Sequence, residues 1–367
     1  MEQSVSEKLK TFEEVAEEII TREELASLLA EKEHPLAYDG FEPSGLAHLP
    51  LLYRAITVKK LLTTGVRFKF FLADWHAWLN GKLGGNLEAI RDTGRYFVEV
   101  WRAAGVPVNT EQVQIVWASD ILDQDYLTLM LRVANLTTVS RASRALPIMG
   151  RNEVEGGKLA YLMYPLMQVT DIFVLGVDIC QLGMDQRKAN MLAREVANKL
   201  GFKKPVGVHH HILTGLEGLK KDQVGREEDL MIQSKMSKSK PKSTIFLNDS
   251  PESVRDKIMR AACPPAQVEN NPVLEYNKFI LFPTFEKIQV SRSAQHGGDV
   301  FYGTYQELER DYLSGKLHPL DLKEATAKYL NLAIDPIRRH FEQNSHAREL
   351  LERVRLASAG TRRASCW

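Results

Sequence analysis

Lys235-Met236-Ser237-Lys238-Ser239 sets two lysines three residues apart among hydroxyls, and Lys240, Pro241 and Lys242 follow at once. Ammonium charges and short donors at this spacing suit an anion that gains charge as a bond breaks, so the stretch reads as a polyphosphate clamp. A lysine cluster taken alone is more commonly a solvated basic loop, so a wider constellation is needed. Tyr38-Asp39-Gly40-Phe41-Glu42-Pro43-Ser44-Gly45-Leu46-Ala47-His48 leaves an apolar run of strand length and enters a helical pattern. Gly and Pro let the backbone turn sharply there, and the free N–H groups of a helix start face an anion. A histidine such as His48 taken alone is more commonly a capping or surface residue than a ligand contact. Tyr164, Gln168 and Asp171 fall at i, i+4 and i+7, one face of a helix turned toward the sheet ends. An unpaired carboxylate on that face would be destabilising. The plainer alternative is that Asp171 caps a following strand while Gln168 satisfies nearby backbone.

These residues must be held by elements that the hydropathy pattern outlines. Leu9, Phe12, Val15 and Ile19, then Leu25, Leu28 and Leu29, stand at helical spacing, and Thr21 with Glu24 forms a capping box between two N-terminal helices over residues 1–33. From His34 on, strand-length apolar runs at 36–41, 67–73, 113–117, 172–177 and 206–211 alternate with helical stretches at 49–62, 87–104 and 186–200. The alternation predicts a parallel sheet covered by helices, with ligands at the carboxyl ends of the strands. An arginine-bearing helical insertion interrupts it at about 120–162. Beyond Lys242 strands nearly vanish. Ser250-Pro251, Thr304 with Glu307, and 319–341 mark helices of a second, α-helical domain over 249–343. The tail, 344–367, is polar with Gly and Ser and is expected to fray.

At 367 residues, 44% hydrophobic and 26% charged, the chain has the composition of a globular protein long enough for two domains. The formal charge of +1 hides basic patches at Lys203, Lys204, Lys220 and Lys221, at Arg338 and Arg339, and at Arg362 and Arg363. Such patches suit a nucleic-acid partner without requiring one. Cys180, Cys263 and Cys366 have neither metal-ligand spacing nor the even count of a disulfide framework, which points to a reducing cytosol. No apolar run approaches the roughly 18 residues of a membrane span, and the N-terminus carries no apolar signal segment.

Taken together, the two motifs resemble the two signatures of class I aminoacyl-tRNA synthetases, and the string from Tyr38 to Gly45 is similar to that of the archaeal and eukaryotic tyrosyl-tRNA synthetases. The likeness runs from about Leu36 to Arg339 and includes Ala73-Asp74-Trp75-His76, Gly183-Met184-Asp185-Gln186-Arg187-Lys188, Cys263-Pro264-Pro265, Gly297-Gly298-Asp299 and His318-Pro319-Leu320-Asp321. It implies a class I Rossmann-like nucleotide-binding domain (34–248) with a connective insertion that forms the dimer interface, and a helical anticodon-binding domain. It implies activation of L-tyrosine by Mg2+-ATP to tyrosyl-adenylate and transfer to the 3′ end of tRNA(Tyr), with no tightly bound metal, in a cytoplasmic homodimer. Tyr38 and Asp171 would hold the substrate phenol, and Tyr164, Gln168 and Gln186 its α-ammonium group, with Asp178 adding negative charge nearby. Gly45, His48, Lys235 and Lys238 would serve ATP. Arg144, Arg187 and Lys188 would face the acceptor end of the tRNA, and His296, His318 and Asp321 its anticodon. One departure stands out: after His48 the run is Leu49-Pro50-Leu51, where the family carries a second histidine or a small residue. Pro50 fits the opening turn of a helix, but Leu51 cannot donate to ATP. Two other readings remain: a tryptophanyl-tRNA synthetase, which lacks the need for a phenol acceptor, and a synthetase-like RNA-binding protein without catalysis.

Overall fold

The computed structural model describes residues 3–149, 158–218, 234–238 and 240–364. The chain opens with α1 (Val5–Val15), whose Ser4 and Glu7 form a capping box, and α2 (Arg22–Glu31), capped by Thr21 and Glu24 as the sequence indicates. Between them lies β1 (Glu18–Ile20), a three-residue strand too short to carry a periodic signal. Next come β2 (Leu36–Phe41), α3 (Leu49–Leu62), β3 (Arg67–Leu72), α4 (Asp74–Leu79), α5 (Leu87–Ala103) and β4 (Val113–Trp117). An insertion holds α6 (Ala118–Ile121), α7 (Gln124–Asn135) and α8 (Val139–Ser143), and the chain resumes with α9 (Leu159–Val174), β5 (Ile179–Cys180), α10 (Arg187–Leu200) and β6 (Val206–His209). The six strands form one sheet in the order β1-β6-β5-β2-β3-β4, parallel except for the edge strand β1 on β6. The N-terminal segment is therefore not purely helical; it supplies a strand of the main sheet.

Alternation along the strands splits the core in two. Ala37, Phe70 and Ile179 join the cluster built on α3 and α5, while their neighbours Tyr38, Phe71 and Cys180 join the cluster built on α9 and α10. The two neighbours of β2 flank it on opposite sides, β3 reached before the insertion and β5 after it. This reversal opens a crevice at the carboxyl end of β2, where α/β sheets bind ligands.

Two expectations fail here. The apolar run 172–177 is not a strand: its first half, 172–174, belongs to the last turn of α9, and the strand lies two residues later at Ile179–Cys180. A helix buried on most sides, with Val169, Ile172 and Phe173 all in the core, has an apolar run indistinguishable from a buried strand. The tail does not fray either. After α11 (Pro251–Arg260), α12 (Pro272–Tyr276), the hairpin β7 (Ile288–Val290) with β8 (Val300–Tyr302), α13 (Tyr305–Leu313) and α14 (Pro319–Gln343), the chain forms α15 (Ser345–Ala364). Ala347, Leu350, Leu351 and Val354 are buried along one helical stripe of α15, and Arg353 reaches Asp92 of α5 at 3.0 Å. Cys366 lies outside the described residues.

Candidate active site

A cavity of about 740 Å³ opens at the carboxyl end of β2, within the size range of small-molecule sites. It brings together Tyr38, His48, Tyr164, Gln168, Asp171 and Gln186, with Gly45, Lys235 and Lys238 at its rim, residues spread over two hundred positions of sequence.

In its wall stands Tyr38, 1% exposed, whose hydroxyl faces the Gln168 side chain but makes no aligned hydrogen bond among the described residues. Burial, reinforced by Cys180 and Asp171, pushes its phenol well above the ordinary value, so it stays protonated. A buried hydroxyl without a partner is destabilising unless a ligand completes it. Asp171 lies inside α9 and cannot cap a strand; its Oδ1 accepts from the Tyr126 hydroxyl at 2.7 Å, and its Oδ2 lies 3.0 Å from His76 Nε2. The His76 contact is an ion-pair distance without hydrogen-bond alignment. Burial works against its imidazolium, but Asp171, Glu42 and Asp74 outweigh it and hold His76 above its ordinary value.

Each of the next three side chains has a donor engaged within the protein. Tyr164 donates to Glu42 Oε1 at 2.8 Å, Gln186 Nε2 to the Ile148 carbonyl at 3.0 Å, and Gln168 Nε2 to Gln186 Oε1 at 3.1 Å. Their oxygens keep acceptor capacity, and the Glu42 carboxylate lines the same cavity. Such a set suits a ligand ammonium group.

Elsewhere in the wall, Pro50 sits in the first turn of α3 and His48 is its N-cap, with no side-chain capping bond. His48 Nδ1 is buried without a partner, and burial together with Lys238 and Lys235 holds its imidazole well below the ordinary value, hence neutral. Leu51 is buried and fills space in the wall. Lys238 Nζ donates to Ser44 Oγ at 3.2 Å and the Gly45 carbonyl at 3.4 Å, and it lies 4.7 Å from the centre of the Phe97 ring. Burial and the neighbouring Lys82 lower its pKa to about 7. Lys235 Nζ lies 3.2 Å from Asp185. Ser239 lies outside the described residues. Among the described residues no group of three His, Cys, Asp or Glu side chains is placed to hold a metal.

The remaining assignments scatter over the surface. Arg144 is exposed at the end of α8, while Arg187, at the start of α10, is engaged by Glu18 at 2.8 Å next to Lys188. At the far domain His318 caps α14 by accepting from the Leu320 N–H at 3.1 Å, so Asp321 is not the cap; its carboxylate makes no hydrogen bond or ion pair among the described residues. The Gly297-Gly298-Asp299 turn, with φ of +90° and +70° at its glycines, is tied toward this helix by Arg292, which donates to the Gly298 and Lys316 carbonyls. The His296 side chain lies outside the described residues.

Asp178 is a correction. It accepts from the Leu36 N–H at 2.7 Å and pairs with Lys32 at 2.6 Å, at the amino end of β2, opposite the cavity. Its position in a family-like string gave no information on which end of the strand it would occupy. Conversely, Glu42, His76 and Asp185 line the cavity from within the motifs although their local pattern assigns them no role, and Tyr126 lies in the insertion with only the helical period to mark it. In the cavity wall, Arg54 pairs with Asp39 at 2.6 Å, both buried; burial raises Asp39 to about 6 even against Arg54.

Comparison with known proteins agrees with this geometry. The sequence matches the family described as tRNA synthetases class I (W and Y) over residues 30–222 and 228–334. Over 359 residues it is 44% identical to the tyrosine–tRNA ligase of Saccharolobus islandicus, covering 96% of this chain and 98% of that one. Over 360 residues it is also 44% identical to tyrosine–tRNA ligase 2, cytoplasmic, of Arabidopsis thaliana, covering 97% of this chain and 46% of that longer one. The crystal structure of tyrosyl-tRNA synthetase from Pyrococcus horikoshii complexed with L-tyrosine is similar with a TM-score of 0.85 at 41% identity, covering 95% of this chain and all of that one. The α/β sheet with its crevice at β2, the two signature segments meeting across one cavity and these relatives lead to one conclusion: the chain belongs to the class I tRNA synthetases of the tryptophanyl and tyrosyl family, and within it to the tyrosine–tRNA ligases of archaeal and eukaryotic type.

Proposed function

We propose that the cavity carries both half-reactions of tyrosine–tRNA ligation with the residues assigned above. The phenol of L-tyrosine would enter between the Tyr38 hydroxyl and Asp171, and its ammonium group would meet the oxygens of Tyr164, Gln168 and Gln186. The substrate carboxylate would then point toward His48 and the lysines, where ATP lies. A carboxylate oxygen attacks the α-phosphorus, the bond to the β-phosphate bridging oxygen breaks, and pyrophosphate leaves. Positioning and charge stabilisation suffice for such a transfer, so no protein base is assigned. Neutral His48 would donate a hydrogen bond to the phosphates, the Gly45 turn would approach them, and Lys235 and Lys238 would neutralise pyrophosphate, with Mg2+ arriving on the nucleotide. A ribose hydroxyl of the tRNA terminus then displaces AMP from the adenylate. The observation that carries the reading is the Tyr38 hydroxyl, buried near Asp171 and Gln168 without an aligned hydrogen bond among the described residues, in the cavity that the lysines also line.

Arg144, Arg187 and Lys188 would meet the acceptor end, and residues 249–343 the anticodon, with Asp321 reading a splayed base and His296 and His318 beside it. Leu127, Leu131, Val139, Leu159 and Met163 are exposed around the insertion, Leu131 by 58% and Leu159 by 76%. An apolar face of this kind supports a homodimer formed through the insertion. No helix among the described residues is long and apolar enough to cross a membrane, and a cytoplasmic location is part of the proposal. Titration calorimetry with L-tyrosine, L-phenylalanine and L-tryptophan tests the substrate assignment. Binding of tyrosine alone is expected, and equal binding of phenylalanine would overturn it.

A further inference from the structure

We infer that the C-terminal helix α15 is part of the nucleotide site and that the Ser358 hydroxyl donates a hydrogen bond to the polyphosphate of ATP, an inference that rests on the proposed function. The helix is anchored on α5 by its buried stripe and by the Arg353–Asp92 ion pair, and just over one turn beyond Arg353 Ser358 lines the same cavity as Ser44, Gly45, Phe97 and Lys238. Ser358 Oγ is buried and makes no hydrogen bond among the described residues. Helical serines and threonines commonly bond back to the carbonyl four residues earlier, as Ser143 and Thr170 do here at 2.8 Å. Ser358 does not.

Its position explains why. A Cβ built on Gly45 would lie 3.0 Å from Ser358 Oγ, so the hydroxyl stands directly over the glycine turn, and Gly45 with φ +113° admits that approach. Lys238 holds the same turn through Ser44 Oγ at 3.2 Å and the Gly45 carbonyl at 3.4 Å. An ammonium and two hydroxyls around a glycine turn form a donor set for phosphate oxygens. The negative end of the α15 dipole opposes an anion, but Ser358 lies more than one turn before Ala364, beyond the reach of that effect. An unpaired hydroxyl that packed only for shape would have its back-bonding carbonyl available.

Ser358→Ala tests this by ATP–pyrophosphate exchange and by equilibrium dialysis of ATP. The expected result is a rise of about tenfold in KM and Kd for ATP, the scale of one hydrogen bond to a charged acceptor, with KM for tyrosine and the melting temperature unchanged and Ser358→Thr restoring affinity. ATP affinity within twofold of wild type overturns the inference, as does a parallel loss of tyrosine affinity and thermal stability, which marks a packing role. A wild-type chain that fails exchange while Ser358→Ala still weakens ATP binding tenfold overturns the proposed function and supports the hydroxyl contact.

Discussion

The hydroxyl of Tyr126, in the inserted segment, donates to Asp171 of α9 at 2.7 Å, 45 residues along the chain. With His76 against its other oxygen at 3.0 Å, the Asp171 carboxylate is held from both sides and keeps one fixed direction into the cavity. The insertion that carries the exposed apolar face thus also fixes the carboxylate proposed to read the substrate phenol.

Sites that hydrogen-bond a substrate hydroxyl reject the analogue lacking it, and tyrosyl-tRNA synthetases are themselves the reference case at about 10⁵-fold. Asp171→Ala is expected to reduce the tyrosine-over-phenylalanine preference by roughly 10²-fold, and Tyr126→Phe by about tenfold, the scale of one hydrogen bond to a charged group. Exchange assays with each amino acid measure both. Full selectivity in both variants would place phenol recognition elsewhere.

Lys238 engages the Ser44-Gly45 turn, and its pKa is lowered to about 7. In the free enzyme its charge is lost as pH rises through that value, so kcat/KM for ATP is expected to fall above pH 7. Lys238→Arg should flatten that profile, because guanidinium does not titrate there. Lys238→Ala should slow adenylate formation by roughly 10²- to 10³-fold with tyrosine affinity little changed. An unaltered single-turnover rate counts against the clamp.

His211 ties three parts of the chain: Glu17 ahead of β1 at 2.8 Å, Glu275 of α12 at 3.1 Å, and the Phe279 ring stacked at 4.4 Å. Burial opposes its charge, but the two carboxylates outweigh it and raise the pKa from 6.5 to about 9. A raised folded value means the stabilisation is complete below the unfolded pKa and is lost as pH climbs through about 9. His211→Gln is expected to lower unfolding free energy by about 2 kcal/mol at acid pH, with the gap closing in alkali. Urea unfolding at both pH values checks it; a gap independent of pH would refute the charge argument.

Asp321 stands free of the cap that His318 provides. Asp321→Ala is expected to leave tRNA-independent exchange and thermal stability unchanged, to lower charging of tRNA with its native anticodon, and to narrow the gap to a tRNA altered at the first anticodon base. Joint loss of exchange and stability would make the residue structural.

The apolar periods of α3 and α5 and the strands β2 and β4 were legible residue by residue, because each is long or sharply bounded. The carboxyl end of β2 was legible too, since Gly40, Pro43 and Gly45 mark a turn whatever the tertiary context. Three things were not. α9 is buried on so many sides that its end imitates a strand; α15 hides a four-residue apolar stripe in a polar composition; and Asp178 sits at the amino end of β2. The orienting role of Tyr126 and His76 toward Asp171 depends on packing between distant segments, which no local pattern records. The identity of the amino acid rested on the motif set, and the relatives bear out tyrosine over tryptophan.

Exchange of labelled pyrophosphate into ATP, without tRNA, tests the central claim most directly. Incorporation that depends on L-tyrosine, is absent with L-tryptophan and is at least 10³-fold weaker with L-phenylalanine is the expected result, below the full discrimination of a hydroxyl-reading site. No tyrosine-dependent incorporation, or equal incorporation with phenylalanine, would contradict it.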